Sequence, residues 1–113
     1  MRMLLPLALL SGCGLAFNYT KLNPPPRTLY QKKPADVELR TIAPAGRDFV
    51  EVGYFDLDEP NLIEGETSPK VMPQIRKEGA EQGCDALVVA GPTFVHLGVG
   101  SYNRYRATCI VYR

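Results

Sequence analysis

Three cysteines and one histidine are the residues of this 113-residue chain best suited to chemistry. A thiolate or an imidazole can act as a nucleophile, a general base or a metal ligand, but each role needs partners at a defined spacing. His96 lies among apolar neighbours, and no serine or cysteine motif accompanies it. Cys13, Cys84 and Cys109 do not have the spacing of a recognised zinc motif. We therefore expect neither a catalytic centre nor a bound metal or other cofactor.

Cys13 stands directly behind a short apolar segment. Arg2 provides a positive charge, residues 4–10 are leucine and alanine apart from one proline, and small residues lead to the cysteine. This is the layout of a secretory signal peptide. Seven apolar residues are also too few to cross a bilayer as a helix. Residues 1–12 are therefore predicted to be a cleaved export signal.

The tetrapeptide Leu10-Ser11-Gly12-Cys13 resembles the lipobox of bacterial lipoproteins. That resemblance implies a type II signal peptide and a mature chain that begins at Cys13 with acyl chains attached, palmitate among them. Gly14 rather than aspartate follows the cysteine, and by the same resemblance this favours the outer membrane, with the protein facing the periplasm or the cell surface. Several acyl chains hold a protein firmly, because each buried methylene contributes about 0.8 kcal/mol.

A proline-rich segment follows the predicted anchor. Residues 24–26 are consecutive prolines, which exclude helix and favour an extended polyproline II conformation. We interpret residues 13–35 as the lipidated cysteine and a tether that displays a domain at residues 36–113. The alternative is that the prolines form a docking ligand for an aromatic groove.

Four strands and one helix are predicted in residues 36–113. Alternating or continuous apolar residues indicate the strands, and apolar residues at helical spacing indicate the helix. The resulting order, β-β-α-β-β, predicts a small α+β domain with one helix packed on a mostly antiparallel sheet. The strands are predicted at residues 37–42, 49–55, 86–90 and 104–112, and the helix at residues 71–82.

Glycines and small residues add detail to these elements. Gly53 is expected to mark a bulge or a close contact in the second strand. Gly83 is expected to end the helix in a left-handed conformation. The predicted apolar face of the helix consists of Met72, Ile75, Gly79 and Ala80. After the second strand, a solvated polar connection is predicted at residues 56–66. Its acidic residues, which lack the glycine and ligand periodicity of a calcium loop, are Asp56, Asp58, Glu59, Glu64 and Glu66.

Cys84 and Cys109 remain available once Cys13 is acylated. Cys84 follows the predicted helix, and Cys109 lies on the inner face of the last strand with Tyr105 and Val111. If the last two strands form a hairpin, the two cysteines come close together. An exported protein meets an oxidising compartment, so we predict a disulfide. The alternative is a pair of buried free thiols.

Three short segments resemble a broad group of small bacterial envelope lipoproteins. They are residues 36–39 (DVEL), 49–53 (FVEVG) and 78–89 (EGAEQGCDALVV). The same layout resembles the outer-membrane lipoprotein that senses envelope stress for the Rcs phosphorelay, and the cytosolic proteins of the YbjQ-like group. The resemblance covers residues 36–113 and implies the fold above, with Asp85 ordering the turn after the helix. It implies little chemistry, and the Rcs sensor carries two disulfides where at most one can form here.

The charge balance and one aromatic cluster bear on partners. Without Arg2 the chain has twelve basic and twelve acidic side chains, so no nucleic-acid partner is expected. Tyrosine and arginine are common in interface hot spots. The interaction candidates are therefore Tyr102, Arg104, Tyr105 and Arg106. The alternative is that they form the polar outer face of a strand.

The sequence as a whole favours a role in contacts within the cell envelope over a role in ligand binding. It predicts a lipid-anchored, non-enzymatic envelope protein that serves as an interaction, structural or envelope-sensing module. Its partners would be the membrane, through the acyl chains on Cys13, and an envelope protein. The alternative is a small-ligand or metal-binding module in the periplasm.

Overall fold

The computed structural model describes residues 16–60, 69–97 and 100–113. In these residues five strands form one sheet, and one helix packs on one face of it. A short 3-10 helix at Pro34–Asp36 precedes the second strand. The predicted signal peptide and Cys13 lie outside the described residues. The strands are β1 (Ala16–Lys21), β2 (Glu38–Arg40), β3 (Phe49–Pro60), β4 (Ala86–Leu97) and β5 (Gly100–Tyr112), and the helix is α1 (Val71–Gln82).

The sheet is mixed, with the strand order β1-β3-β5-β4-β2. The pairings of β1 with β3, β3 with β5 and β5 with β4 are antiparallel, whereas β2 pairs parallel to β4. The predicted α+β class, with one helix on a sheet, is confirmed. We call the end of the sheet where β4 ends and β5 begins the hairpin end. The opposite end, where β4 begins and β5 ends, is called the Asp85 end.

The first strand lies inside the segment for which the sequence predicts a tether. β1 pairs with β3 from Ala16 opposite Asp58 to Lys21 opposite Gly53. Its inward-facing rings pack on the core, with the Tyr19 and Phe55 ring centroids 4.7 Å apart. Residues 16–35 therefore belong to the fold and are not a free tether. The physical reason is that alternate aromatic side chains in β1 bury apolar surface against β3.

The chain after β1 is also held against the domain. The backbone N–H of Leu22 donates to the Val52 carbonyl (3.0 Å), and that of Lys32 donates to the Ala80 carbonyl (2.9 Å). Leu29 packs against the core. The proline-rich segment thus runs across the sheet and the end of the helix instead of extending away from them.

The core lies between the sheet and α1. The inner face of β5 carries Tyr105, Ala107, Cys109 and Val111, all buried as the alternation predicts. The bounds of α1 match the predicted helix, but its buried face differs by one residue. Val71 is buried, whereas Met72 is 40% exposed. The buried positions 71, 75 and 79 follow an i, i+4, i+8 spacing that begins at Val71, so the prediction of Met72 as a core residue is wrong.

Gly83 ends the helix in a left-handed conformation, with a φ of 80°. Its N–H donates to the Ala80 carbonyl (3.1 Å), and the N–H of Cys84 donates to the Gly79 carbonyl (3.0 Å). This pair of bonds is the Schellman motif, which satisfies carbonyls that a helix end otherwise leaves without partners. The predicted role of Gly83 is confirmed.

Replacement of Gly83 by alanine is expected to lower the free energy of unfolding by about 2–3 kcal/mol, measured by urea denaturation. A Cβ there would lie 2.8 Å from the Tyr30 carbonyl oxygen and 2.9 Å from Leu29 Cβ, in addition to the strain of a positive φ. Gly46→Ala is the matched control, because Gly46 has a φ of +72° with nothing within 4 Å of a new Cβ. The control should cost only about 1 kcal/mol. Equal losses in the two variants would contradict this explanation.

Gly53 combines the two roles that the sequence suggests for it. The register between β3 and β5 shifts between Glu51 and Gly53, which marks a β-bulge. The Tyr19 ring also lies directly over this glycine, because a Cβ on Gly53 would lie 2.2 Å from the Tyr19 hydroxyl. The close ring contact requires a residue without a side chain at this position of the bulge.

A disulfide joins Cys84 to Cys109, as predicted. Their Cα atoms are 5.5 Å apart, within the range that disulfides span. Both side chains are fully buried in the core. The bond therefore links the end of α1 to the inner face of β5.

Asp85 connects three parts of the fold at the Asp85 end. The Arg27 guanidinium donates to its carboxylate (2.8 Å), and so does the backbone N–H of Tyr112 (2.9 Å). The Lys32 ammonium also donates to this carboxylate. Burial alone would raise the pKa of Asp85, but these hydrogen bonds outweigh it and hold the pKa below its usual value. The proline-rich segment is thus tied to the sheet by charge-assisted bonds.

Candidate interaction surface

The sheet face opposite α1 carries a regular set of ion pairs. The register of β3 with β5 places Asp58 opposite Arg104 and Asp56 opposite Arg106. In each pair the guanidinium Nε donates to one carboxylate oxygen at 2.8 Å and an Nη donates to the other at 3.0 Å. This two-bond geometry fixes the orientation of each guanidinium plane.

Aromatic rings lie beside both guanidinium groups. The Arg106 guanidinium carbon is 4.0 Å from the centre of the Tyr54 ring, and that of Arg104 is 5.3 Å from the centre of the Tyr102 ring. The Arg104 side chain nevertheless remains 44% exposed and that of Arg106 51% exposed. The hydrogen bonds that they donate to the carboxylates raise the pKa of both guanidinium groups, so they stay charged. We call this set the Arg–Asp ladder: Tyr54, Asp56, Asp58, Tyr102, Arg104 and Arg106.

The ladder shows that the prediction of a polar, acidic connection at residues 56–66 is wrong for residues 56–60. Asp56, Asp58 and Glu59 lie within β3, which continues to Pro60. The other two acidic residues, Glu64 and Glu66, lie outside the described residues. The strand accommodates the aspartates because they alternate with inward-facing apolar residues and meet arginines across the sheet. This period of two in residues 55–58 is the signal in the sequence that identifies them.

The structure brings together three of the four predicted interaction residues. Tyr102, Arg104 and Arg106 share the exposed face, as alternation along β5 requires. Tyr105 points to the opposite face and is only 1% exposed, so its prediction as an interaction residue is wrong. Its hydroxyl lies 3.5 Å from an oxygen of Glu59, which is also buried.

A small apolar cluster limits the ladder toward the Asp85 end. Its buried members are Ala86, Ile110 and Tyr112, with Phe49 and Val88 packed against them. The Tyr112 hydroxyl donates to Glu38 (2.6 Å), which lowers the pKa of Glu38 and raises that of Tyr112. The Arg47 guanidinium carbon lies 3.5 Å from the centre of the Tyr112 ring. The Arg–Asp ladder therefore occupies the half of the face nearer the hairpin end.

A groove opens where the proline-rich segment crosses the sheet. It has a volume of about 580 Å³, within the size range of small-ligand pockets. Apolar side chains form most of its wall, and Lys21, Asn23 and Gln82 provide polar groups. Burial raises the pKa of the Tyr19 hydroxyl in this wall. The apolar lining residues are Tyr19, Leu22, Pro24, Pro25, Leu29 and Val52.

Breaking an ion pair of the ladder is expected to change stability little. Exposed pairs gain little Coulomb energy in water and lose side-chain entropy. We expect the coupling free energy from the double-mutant cycle of Arg104→Ala and Asp58→Ala to be small and to shrink as salt is added. The measurement is urea denaturation at low and high ionic strength. A large coupling that salt leaves unchanged would indicate that the ladder is a structural element.

His96 and the metal-ligating side chains are the other candidates for a functional site among the described residues. His96 is exposed on β4, with its ring centre 6.3 Å from that of Phe94. Across residues 16–60, 69–97 and 100–113, no three His, Cys, Asp or Glu side chains are grouped so as to hold a metal ion. No helix within those ranges has the length and apolar character needed to span a bilayer.

Compared with protein-family models, with curated proteins and with solved structures, the chain matches none.

Proposed function

We propose that this protein is a lipid-anchored, non-enzymatic component of the bacterial outer membrane whose exposed sheet face binds a protein partner in the cell envelope. The segment ending at Cys13 supports the anchor, because it combines a positive charge, a short apolar run and small residues before the cysteine. The observation that carries the binding role is the Arg–Asp ladder. The role is a structural or envelope-sensing contact.

The ladder is suited to binding because its polar groups are already oriented. Each guanidinium is held by two hydrogen bonds, so it loses little further conformational entropy when a partner is bound. Tyr54 and Tyr102 supply ring surface beside these groups. Tyrosine and arginine, together with tryptophan, are enriched among the residues that contribute most of the binding energy in protein interfaces.

The charges of the ladder also indicate what kind of partner it would accept. Two arginines and two aspartates alternate on the surface, so the ladder carries no net charge. A strongly acidic or strongly basic partner would gain little from it by long-range attraction. The proposed partner is instead a protein surface with its own mixture of charged and aromatic groups.

Photo-crosslinking in cells tests this proposal. A photoreactive amino acid replaces Tyr102 in one variant and Asn18, which is exposed on the same face of β1, in a second. Lys77, exposed on α1 on the other side of the sheet, is the matched control position. We expect the same envelope protein to be captured from Tyr102 and Asn18 and not from Lys77. Capture of no protein from the first two positions would refute the proposed interface.

The groove favours a second candidate function, that of a small-ligand module. Its apolar wall and few polar groups are typical of sites for small molecules. A ligand that binds only the folded state raises the melting temperature by mass action. A thermal-shift screen with small amphipathic compounds should therefore raise the melting temperature of the protein, and Leu22→Asp should abolish that shift.

A further inference from the structure

The start of β1 limits how far the domain can lie from the predicted anchor. The strand begins at Ala16, so only Gly14 and Leu15 separate it from Cys13. A fully extended chain spans about 3.6 Å per residue, which places the Cα of Ala16 at most about 11 Å from that of Cys13. The geometry points to a domain whose hairpin end rests on the phospholipid headgroup layer, an inference that depends on the proposed acylation of Cys13.

The strand register identifies which end of the sheet this is. Ala16 lies opposite Asp58, and Asp58 lies opposite Arg104. The next rows toward the same end contain Tyr102 in β5 and His96 in β4. The opposite end carries Asp48 and Arg113, whose backbones are hydrogen bonded (3.1 Å). At about 3.4 Å per strand residue, the two ends of β3 are roughly 35 Å apart.

The side chains at the hairpin end are compatible with a headgroup layer. Tyr102 is half-buried with its ring on the exposed face, and Phe94 beside exposed His96 adds a second aromatic ring. Amphipathic aromatic rings are common at the level of lipid headgroups. Arg104 is already neutralised by Asp58. The short connection to the anchor, and not electrostatic attraction, therefore holds this end at the membrane.

An upright arrangement follows for the rest of the domain. The strands rise away from the bilayer, and the Arg–Asp ladder runs along the sheet face from the membrane surface outward. The alternative arrangement, in which the domain lies on the β1 edge, would bring Asn18, Thr20 and Lys21 to the membrane along with Ala16. These three exposed side chains are polar or charged, and none of them provides an aromatic ring for the interface.

The test measures how close each end lies to the lipid headgroups. The full-length lipidated protein is placed in vesicles of phosphatidylethanolamine and phosphatidylglycerol that contain a lipid with a spin-labelled headgroup. A fluorophore is attached to a single cysteine introduced as His96→Cys at the hairpin end or as Asp48→Cys at the other end. Both positions are exposed, and neither side chain belongs to the ladder. We expect several-fold stronger quenching at position 96 than at position 48.

A spacer variant is the matched control. Insertion of twenty glycine and serine residues between Gly14 and Leu15 leaves Cys13 and the sheet intact but frees the orientation of the domain. The difference in quenching between positions 96 and 48 should then largely disappear. The proteins should remain bound to the vesicles, and the difference in the original protein should persist at high salt.

Two outcomes would overturn the inference, and they can be told apart. Equal quenching at positions 96 and 48 in a protein whose N-terminal mass shows acyl chains on Cys13 would refute the upright arrangement and leave the proposed anchor intact. A protein whose mass shows no acyl chains on Cys13, and which does not stay with the vesicles, would refute both the anchor and the inference.

Discussion

Replacement of Asp85 by alanine is expected to lower the free energy of unfolding by about 2–4 kcal/mol. The Asp85 side chain is only 14% exposed, and it accepts hydrogen bonds from Arg27, Lys32 and the backbone N–H of Tyr112. Its loss leaves the Tyr112 N–H without this acceptor and removes the ion pairs that hold the proline-rich segment on the sheet. Urea denaturation of the purified domain measures the change.

Asp48→Ala is the matched control, because Asp48 is an exposed aspartate at the same end of the sheet. It should leave the free energy of unfolding nearly unchanged. If both variants lose the same free energy of unfolding, the loss results from the change in surface charge and not from the contacts of Asp85. Asp85→Asn should fall between the native protein and Asp85→Ala, because the amide keeps one acceptor oxygen but loses the charge.

The same carboxylate makes stability depend on pH. Because the pKa of Asp85 is lowered in the folded state, its contribution is fully present above the unfolded value of about 3.9. The contribution is lost as the pH falls from there through the folded pKa. Denaturation between pH 3 and pH 7 should show that Asp85→Ala loses less stability on acidification than the native protein. Parallel curves for the two proteins would contradict the assigned ion pairs.

Removal of the disulfide is expected to cost about 3 kcal/mol of stability. The bond joins residues separated by 25 positions, and closing a loop of that length reduces the entropy of the unfolded chain by about this much. The variant carries Cys84→Ala and Cys109→Ala together, which avoids a buried free thiol. Thermal and urea unfolding of the double variant are compared with those of the oxidised native protein.

Two controls distinguish the contribution of the covalent bond to stability from that of the packed cysteine side chains. Each single alanine variant should lose about as much stability as the double variant, because one substitution already prevents the bond. Reduction of the native protein should produce a similar loss. If reduction leaves the stability unchanged, the cysteines contribute as packed apolar residues and not as a covalent link.

Features that depend on neighbouring residues agree between sequence and structure. Residues 71–82 form a helix because their periodicity is helical and Gly83 can adopt the left-handed cap. The alternation in residues 104–112 assigns Tyr105 and Cys109 to the core and Arg104 to the exposed face. The pairing of β4 with β5 follows from the short connection between them, and it explains why Cys84 and Cys109 meet.

Features that depend on distant partners do not follow from sequence periodicity. The pattern Ala16–Lys21 is short and lies next to prolines, and it becomes a strand because β3 offers a free edge and an apolar face to cover. Likewise, Asp56 and Asp58 are of a residue type that is more common in loops than in strands. They extend β3 because Arg106 and Arg104 stand opposite them on a strand nearly fifty residues later.

The sequence therefore determined the local elements of this protein, the class of its fold and the pairing of its cysteines. It also predicts an export signal at residues 1–12, which lie outside the described residues. Only the tertiary structure decided that the chain after Cys13 joins the sheet within three residues, and that alternating charges on two strands form one ladder. The physical reason is that a strand obtains its hydrogen bonds and charge partners from another strand, and chain periodicity alone does not specify which strand that is.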